Sequence, residues 1–320
     1  MKLQTQIPLQ QQSENLIDYQ SKILLLGSCF VENIGGKLEY FKFQNLINPF
    51  GIMFHPLAIE NLIFKSVEKK EYTERDIFFH NEQWHCYDAH SKLSDVSKDN
   101  LLKELNQQLD LTRNYIMDSS HIIITLGTSW VYKHIEQNSY VANCHKISQK
   151  EFSKELLTVD EISQSLNAII NLISTVNSGA TIILTVSPVR HLRDGFIENT
   201  QSKSHLFSAL HSVLSHRAQS RCHYFPSFEI MLDELRDYRF YAEDMIHPNA
   251  TAINYIWEKF QQVWISPLAK ESMDDVDDIQ KGLLHKAFSP NSEGHQKFLA
   301  VLDAKKRNLK ALYKYISFDE

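Results

Sequence analysis

The stretch Ile23-Leu24-Leu25-Leu26-Gly27-Ser28-Cys29-Phe30 decides the fold. It begins with a short, uninterrupted apolar run, which is typical of a parallel strand covered on both faces. Ser28 then follows Gly27 at the end of the strand, just before a helix. Backbone N–H groups at a helix N-terminus can stabilise an oxyanion. Ser28 is therefore a candidate nucleophile, although serine is also a preferred helix N-cap.

Similar apolar runs recur along the chain, separated by amphipathic helix patterns. The strand-like runs are His121–Leu126 and Thr181–Val186, with weaker ones at Gln44–Ile47 and Cys222–Phe225. Helical spacing of apolar residues is clearest in Asn100–Met117 and Val159–Val176. This alternation predicts an α/β fold with a flavodoxin-like, doubly wound parallel sheet, in which ligands bind at the carboxyl ends of the strands.

Two segments interrupt the alternation and one extends beyond it. Ile77–Asp88 is predicted to form a hairpin around Asn81 and Glu82, and the segment 130–146 a second excursion. Both lie beside strand ends, where inserted elements often shape a pocket. The composition shifts after Pro267. We therefore expect one domain over residues 1–265 and a C-terminal helical extension over residues 266–320, packed on that domain.

Composition and charge narrow the class of protein. The chain has 320 residues and a formal net charge of −6, and no long basic run occurs, so we expect no nucleic-acid partner. The N-terminal segment Met1–Gln12 is polar, and no run approaches the ~18 apolar residues of a membrane span. We expect a cytoplasmic protein with no membrane span. The sequence leaves its oligomeric state open.

Cysteine and histidine spacing indicates neither a disulfide framework nor a metal site. The four cysteines lie far apart with no C-x-x-C pair. His80, His85 and His90 are five residues apart on a predicted hairpin, which is not the spacing of zinc ligands. We expect no metal and no cofactor.

A second motif, far downstream, supports the nucleophile hypothesis. Glu243-Asp244-Met245-Ile246-His247-Pro248 contains Asp-x-x-His. A serine hydroxyl needs a base, which His247 would provide, and the Asp244 carboxylate would orient the imidazole. The ordinary structural interpretation is a turn that caps the helix beginning near Asn249.

Several ordered motifs together resemble the GSCFA family, a branch of the SGNH/GDSL-like hydrolases. The resemblance covers roughly residues 20 to 265. Its motifs are Gly27-Ser28-Cys29-Phe30, Asn48-Pro49-Phe50-Gly51, Thr125-Leu126-Gly127-Thr128, Asn143-Cys144-His145-Lys146, Ser187-Pro188-Val189-Arg190-His191, Ser202-Lys203-Ser204 and residues 237–248. In the first motif, Val31 replaces the final alanine of the family name string.

The resemblance implies roles for individual residues. Ser28 would be the nucleophile and Asp244 and His247 the acid–base pair, while the N–H of Gly51 would donate to the oxyanion. The asparagine expected after Gly127 is absent, because the block reads Gly127-Thr128-Ser129-Trp130.

Other residues would then complete the site. Asn143 is our first choice for the missing oxyanion donor, and Thr128, Ser129 or His145 are alternatives. Arg190 and His191 follow a strand end and are expected to line the pocket. Turn formation or solvation would explain these residues almost equally well.

These observations predict a serine esterase-like hydrolase that removes an O-acyl group through an acyl-serine intermediate. The substrate would be a small-molecule or carbohydrate ester. One alternative is an acyltransferase that uses the same serine on a carbohydrate-type acceptor. Another is a non-catalytic ligand-binding module with a degenerate oxyanion hole, and a third is a structural protein whose C-terminal helices mediate assembly. Fold alone does not decide among them.

Overall fold

The computed structural model describes residues 5–217, 221–286 and 288–318. The beginning of the Met1–Gln12 segment and the last two residues of the extension lie outside these ranges. The strands are β1 (Lys22–Gly27), β2 (Gln44–Ile47), β3 (Ile77–His80), β4 (Gln83–Cys86), β5 (His121–Leu126), β6 (Trp130–His134), β7 (Ser139–Val141), β8 (Phe152–Leu156), β9 (Thr181–Val186) and β10 (Cys222–Tyr224).

Helices connect most of these strands. They are α1 (Cys29–Tyr40), α2 (Pro56–Val67), α3 (Lys98–Asp118), α4 (Val159–Val176), α5 (Phe196–Ser215), the short α6 (Ser227–Glu229), α7 (Ala250–Trp264), α8 (Pro267–Leu284) and α9 (Glu293–Leu312). A π-helical turn, Ile230–Glu234, extends α6. None of the helices in the described ranges is long and apolar enough to cross a membrane.

The central sheet is parallel, and its strand order is β10-β9-β5-β1-β2. Counted along the sheet strands alone, this is the flavodoxin-like order 2-1-3-4-5, which confirms the predicted fold class. The order reverses between β1 and β5. Ligand crevices of doubly wound sheets lie at this switch point, beyond the carboxyl ends of the strands. Ser28 directly follows β1 at that end.

The apolar runs of the sheet separate two cores. In β1, Leu24 and Leu26 pack with helices α2 to α5, whereas Ile23 and Leu25 pack with α1, α7 and α8. Successive side chains of a strand point to opposite faces, so a strand buried on both sides has apolar residues at consecutive positions and not only at alternate ones. This explains why the strands were recognisable in the sequence.

Two antiparallel insertions lie outside the central sheet. β3 and β4 form the predicted hairpin, with Asn81 and Glu82 in the left-handed region at its tip. The second excursion forms a three-stranded sheet in the order β7-β6-β8. It extends further than the predicted segment 130–146, because β8 (Phe152–Leu156) pairs with β6.

The C-terminal helices pack on the second core. Ala269, Met273, Val276 and Ile279 of α8 are buried there, and Leu302 of α9 joins them. The segment before β1 lies against the same region. Ile17 pairs with Ile265 in an isolated parallel bridge. The Tyr315 hydroxyl donates to the carbonyl of Tyr19 at 2.7 Å.

Candidate active site

Ser28 occupies the N-cap position of α1 without capping the helix. Its backbone is extended, with φ −69° and ψ 170°, and its side chain makes no capping hydrogen bond. The residue is fully buried, and its Oγ has no hydrogen-bond partner. Buried polar atoms are normally paired, so a free hydroxyl here needs an explanation.

Gly27 allows this geometry. Its φ of +132° lies in a region that residues with a side chain rarely adopt, and a Cβ at this position would lie 2.1 Å from the carbonyl oxygen of Thr125. The close approach of β1 and β5 therefore requires glycine. The Ser28 N–H donates to the same Thr125 carbonyl at 3.0 Å, which fixes the serine at the end of the sheet.

Asp244 and His247 form a hydrogen-bonded pair. His247 Nδ1 and Asp244 Oδ2 are 2.6 Å apart, and the backbone N–H groups of His247 and Ile246 donate to Asp244 Oδ1. These bonds hold the pKa of Asp244 down at about 2, the backbone bond from His247 contributing most. The cap of α7 comes from Asn249, which accepts from Ala252 N–H. The Asp-x-x-His turn is therefore not needed as a helix cap.

Backbone contacts place this loop at the carboxyl end of β9. Arg190, which follows β9, donates its N–H to the carbonyl of Ile246 at 3.3 Å, and its guanidinium donates to the carbonyl of Met245 at 3.4 Å. The same guanidinium stacks on Tyr241. Arg190 thus anchors the loop that carries His247, whereas the sequence predicted that it lines the pocket.

His191 lies between this loop and Ser28. A Cβ on Gly127 would lie 3.2 Å from Ser28 Cβ and 3.2 Å from His191 Nε2, so those two atoms are at most twice that distance apart. His191 Nε2 is buried without a partner. Burial, with a smaller contribution from Lys203 and then His247, lowers the pKa of His191 to about 3. His191 is therefore neutral at physiological pH.

A cavity of about 790 Å³ reaches this point. Its lining includes Thr128 and His191, the neighbours of Gly127. Residues from both insertions contribute to its wall, including Gln83, His85, Trp130, Tyr132, Asn143 and His145. The cavity offers a polar, aromatic space beside Thr128 and His191.

Most donors predicted for the oxyanion are engaged in other hydrogen bonds. Gly51 N–H donates to the carbonyl of Asn48 at 2.7 Å, within a turn. The Thr128 hydroxyl is bonded to Ser202 Oγ at 2.9 Å, and Ser129 Oγ donates to the Ser202 carbonyl at 3.0 Å. These contacts join the end of β5 to α5.

Asn143 and His145 belong to one turn in the cavity wall. Asn143 Oδ1 accepts from His145 N–H at 2.8 Å. His145 Nε2 contacts the carbonyl of Cys86 at 2.7 Å, while its Nδ1 is buried without a partner. Burial lowers the pKa of His145 to about 4. Both residues thus line the 790 Å³ cavity, and Asn143 also shapes its own backbone.

Lys203 lies in the quoted Ser202-Lys203-Ser204 motif, but the sequence predicted no role for it at the site. Its Nζ donates to the carbonyls of Gly127 and Ser187, each at 2.7 Å. The side chain is buried, and this burial lowers the pKa of Lys203 to about 7. One signal was available, because Lys203 shares the buried face of α5 with Leu206 and Leu210.

The titratable side chains in the described part of the chain include no group of three or more His, Cys, Asp or Glu arranged to hold a metal ion. In the β3–β4 hairpin, His85 is bonded to Ser94 Oγ and to the carbonyl of His80. The side chains described above at the end of the sheet are a serine, two histidines, a carboxylate and a buried lysine.

Comparisons with known proteins give a family and two distant structural likenesses. The model of the GSCFA family matches residues 22–260, and that of the GSCFA domain protein, C-terminal domain, matches residues 276–320. No curated protein gives a significant match. A carbohydrate esterase family 3 protein from Talaromyces cellulolyticus is 10% identical, with a TM-score of 0.36 over 80% of this chain and 99% of that chain. The acetyl xylan esterase Est2A from Butyrivibrio proteoclasticus is 9% identical, with a TM-score of 0.41 over 84% of this chain and 66% of that chain.

Proposed function

Because the chain belongs to the GSCFA family and has a free serine hydroxyl at the end of its first strand, we propose that it is a serine hydrolase. It removes an O-acyl group from a small-molecule or carbohydrate ester through an acyl-Ser28 intermediate. The observation that carries the proposal is the buried, unpartnered Ser28 Oγ, which does not cap the helix it precedes.

In the proposed reaction, His247 Nε2 accepts the Ser28 hydroxyl proton while Oγ attacks the ester carbonyl carbon. The bond to the leaving alcohol then breaks, and His247 returns the proton to the alcohol oxygen. Water next attacks the acyl carbon while His247 accepts a proton from it. The bond from that carbon to Ser28 Oγ then breaks, and His247 returns the proton to Oγ as the carboxylic acid is released. Asp244 Oδ2 accepts a hydrogen bond from the protonated His247 Nδ1 throughout, so Nε2 is the atom that exchanges protons.

The cavity beside Gly127 is the proposed substrate site. Trp130 and Tyr132 give apolar surface, and Gln83 and Asn143 give amide groups that can bind hydroxyls. The productive complex requires His247 Nε2 to come within hydrogen-bond reach of Ser28 Oγ, a contact that often tightens only when substrate binds. Roughly half of the His247 side chain is exposed, which leaves it room to move.

The proposal predicts that Ser28→Ala and His247→Ala each lower the turnover of a small aryl acyl ester by at least ~10³-fold. The double variant should be little slower than either single one, because residues of a triad act as a unit. Activity is measured by alcohol release, and the acyl-enzyme by intact mass. Ser66→Ala is the matched control, since Ser66 Oγ is also buried and unpartnered but lies near the end of α2.

Retained activity in Ser28→Ala, or losses that multiply in the double variant, would contradict the proposal. Product analysis with added sugar alcohols distinguishes hydrolysis from acyl transfer by the same serine.

A non-catalytic binding module is the second candidate, and the engaged Ser28 and Gly51 N–H groups favour it. These are two of the donors predicted for the oxyanion hole, and a pocket without replacements for them would bind an ester and not turn it over. Saturable ligand binding with no turnover and no acyl adduct would support this alternative.

A further inference from the structure

The proposed acyl transfer needs donors aimed at the carbonyl oxygen as it becomes negatively charged. Three backbone N–H groups near Ser28 are used within the fold. Ser28 N–H donates to the carbonyl of Thr125, Gly127 N–H donates to that of Phe54, and Gly51 N–H closes its own turn. Any donor that these groups do not supply can come from a neighbouring side chain.

Asn48 has such a donor beside the nucleophile. It follows β2, and its N–H donates to the carbonyl of Leu25 in β1 at 2.9 Å. Its Oδ1 accepts from the Gly27 N–H at 2.9 Å, one residue before Ser28. Because an N–H can only donate, this bond identifies the oxygen of the amide and assigns the other atom as Nδ2.

The Asn48 Nδ2 is buried and has no hydrogen-bond partner. Leaving a buried amide unpaired is costly, so such groups are rare in folded proteins. Ser28 Oγ and His191 Nε2 are buried without partners in the same region, next to Gly27 and Gly127 respectively. Three unsatisfied polar atoms around one strand end indicate a site whose partner is a ligand.

We propose that Asn48 Nδ2 is the side-chain donor to the oxyanion, replacing the asparagine that is absent from the Gly127–Trp130 block. The bond from Gly27 N–H holds the amide in position, so its two N–H groups are orientated before substrate arrives. This inference rests on the proposed function. It differs from the sequence expectation, which assigned the donor to Asn143.

The variant Asn48→Asp tests the donor separately from the structural bond. Aspartate keeps an oxygen that can accept from Gly27 N–H, but at alkaline pH it has no proton to donate. Asn48→Asp is expected to lower kcat for a small aryl acyl ester by ~10²–10³-fold while KM changes little, because the donor acts in the transition state. Asn48→Ala adds no charge and carries the same expectation if the aspartate variant does not fold.

Asn45→Asp is the matched control, because it introduces the same charge three residues earlier, within β2, at a partly exposed position. It should retain kcat within about threefold. Circular dichroism and thermal unfolding of all variants identify losses that come from misfolding.

Two outcomes overturn the inference while leaving the proposed function intact. One is an inactive Ser28→Ala with an Asn48→Asp that keeps wild-type kcat. The other is a loss of ~10²–10³-fold in Asn143→Ala that Asn48→Asp does not share. Full activity in Ser28→Ala would instead overturn the proposed function itself.

Discussion

Ser28 differs from the other serines and threonines that begin helices in this molecule. Thr158, Ser97, Ser266 and Ser292 each accept a backbone hydrogen bond in the first turn of their helix. Such a cap stabilises a helix by ~1 kcal/mol. Ser28 does not make this bond. The Ser28 hydroxyl thus remains free, although a capping hydrogen bond from it would stabilise α1.

Gly127 is the second residue whose substitution should change the site, because it lies between Ser28 and His191. A Cβ here would lie 2.9 Å from the carbonyl oxygen of Phe54 and 3.2 Å from both site residues. Gly127→Ala should therefore displace the serine or the imidazole and lower kcat/KM by at least ~10-fold, because small misplacements are costly in catalysis. Ester kinetics and urea unfolding measure the two effects separately.

Gly36→Ala is the control for this prediction. Gly36 lies in α1 and has no atom within 4 Å of an added Cβ. The substitution should raise the free energy of unfolding by ~0.5–1 kcal/mol and leave kcat/KM unchanged. Equal activity losses in the two variants would mean that Gly127 has no particular role at the site.

The individual site residues were predictable to different degrees. Ser28 and the Asp244–His247 pair stand out because their spacing matches a chemical requirement. Asn48 does not, since an asparagine after a strand is also an ordinary turn residue. Its interest depends on the bond from Gly27 N–H and on the missing partner of Nδ2, which are properties of the folded chain.

Among elements, the central strands were predictable because both of their faces are buried. β5 and β9 are rich in isoleucine and buried at every position, without the alternation of apolar and polar residues seen in half-exposed strands. β8 was not predicted, because its sequence Phe152-Ser-Lys-Glu-Leu mixes polar and apolar residues and its pairing partner β6 is distant in sequence. Its strand conformation comes from that pairing.

Lys203 connects the ends of two of these strands, because its Nζ donates to the carbonyls of Gly127 after β5 and Ser187 after β9. Burial lowers the pKa of Lys203 from 10.5 to about 7. Between these values the unfolded chain keeps a proton that the folded chain has lost. The contribution of this group to the free energy of unfolding is greatest above the pKa of Lys203 in the unfolded chain. It is lost as the pH falls to about 7, the pKa in the folded chain.

We therefore predict that the free energy of unfolding rises by about 1.4 kcal/mol per pH unit from this group between about pH 7 and pH 10. Lys203→Met should remove that part of the slope, measured by urea unfolding at several pH values. Lys22→Met, which changes an exposed lysine paired with Asp118, should keep it. An unchanged slope in Lys203→Met would show that Lys203 stays protonated.

At the scale of the whole molecule, several histidines are buried in the neutral form. Burial lowers the pKa of His55, His121 and His145 to about 4 and that of His191 to about 3. Unfolded histidines titrate near 6.5. As the pH falls below that value, the unfolded chain binds protons that the folded chain does not, so stability is lost.

We predict that stability is insensitive to these histidines above about pH 7 and falls steeply between about pH 6.5 and pH 4. Each should contribute about 1.4 kcal/mol per pH unit. His121 lies far from the proposed site, at the start of β5. His121→Asn should therefore reduce the pH dependence of the free energy of unfolding by about 1.4 kcal/mol per pH unit, while ester turnover is retained. Guanidinium unfolding over this range measures the slope, and an equal slope in both proteins would refute the assignment.

The pairing of the N-terminal segment with the end of α7 has a consequence for biosynthesis. Gln12, Ile17 and Ser266 share backbone hydrogen bonds that join residues about 250 positions apart. On the ribosome, the second core must wait for α7 and α8 to emerge, while α1 and one face of β1 remain uncovered. Contacts this distant in sequence form slowly and expose apolar surface to aggregation in the meantime. A nascent chain stalled before α7 should therefore bind chaperones through the same face that the C-terminal helices later cover.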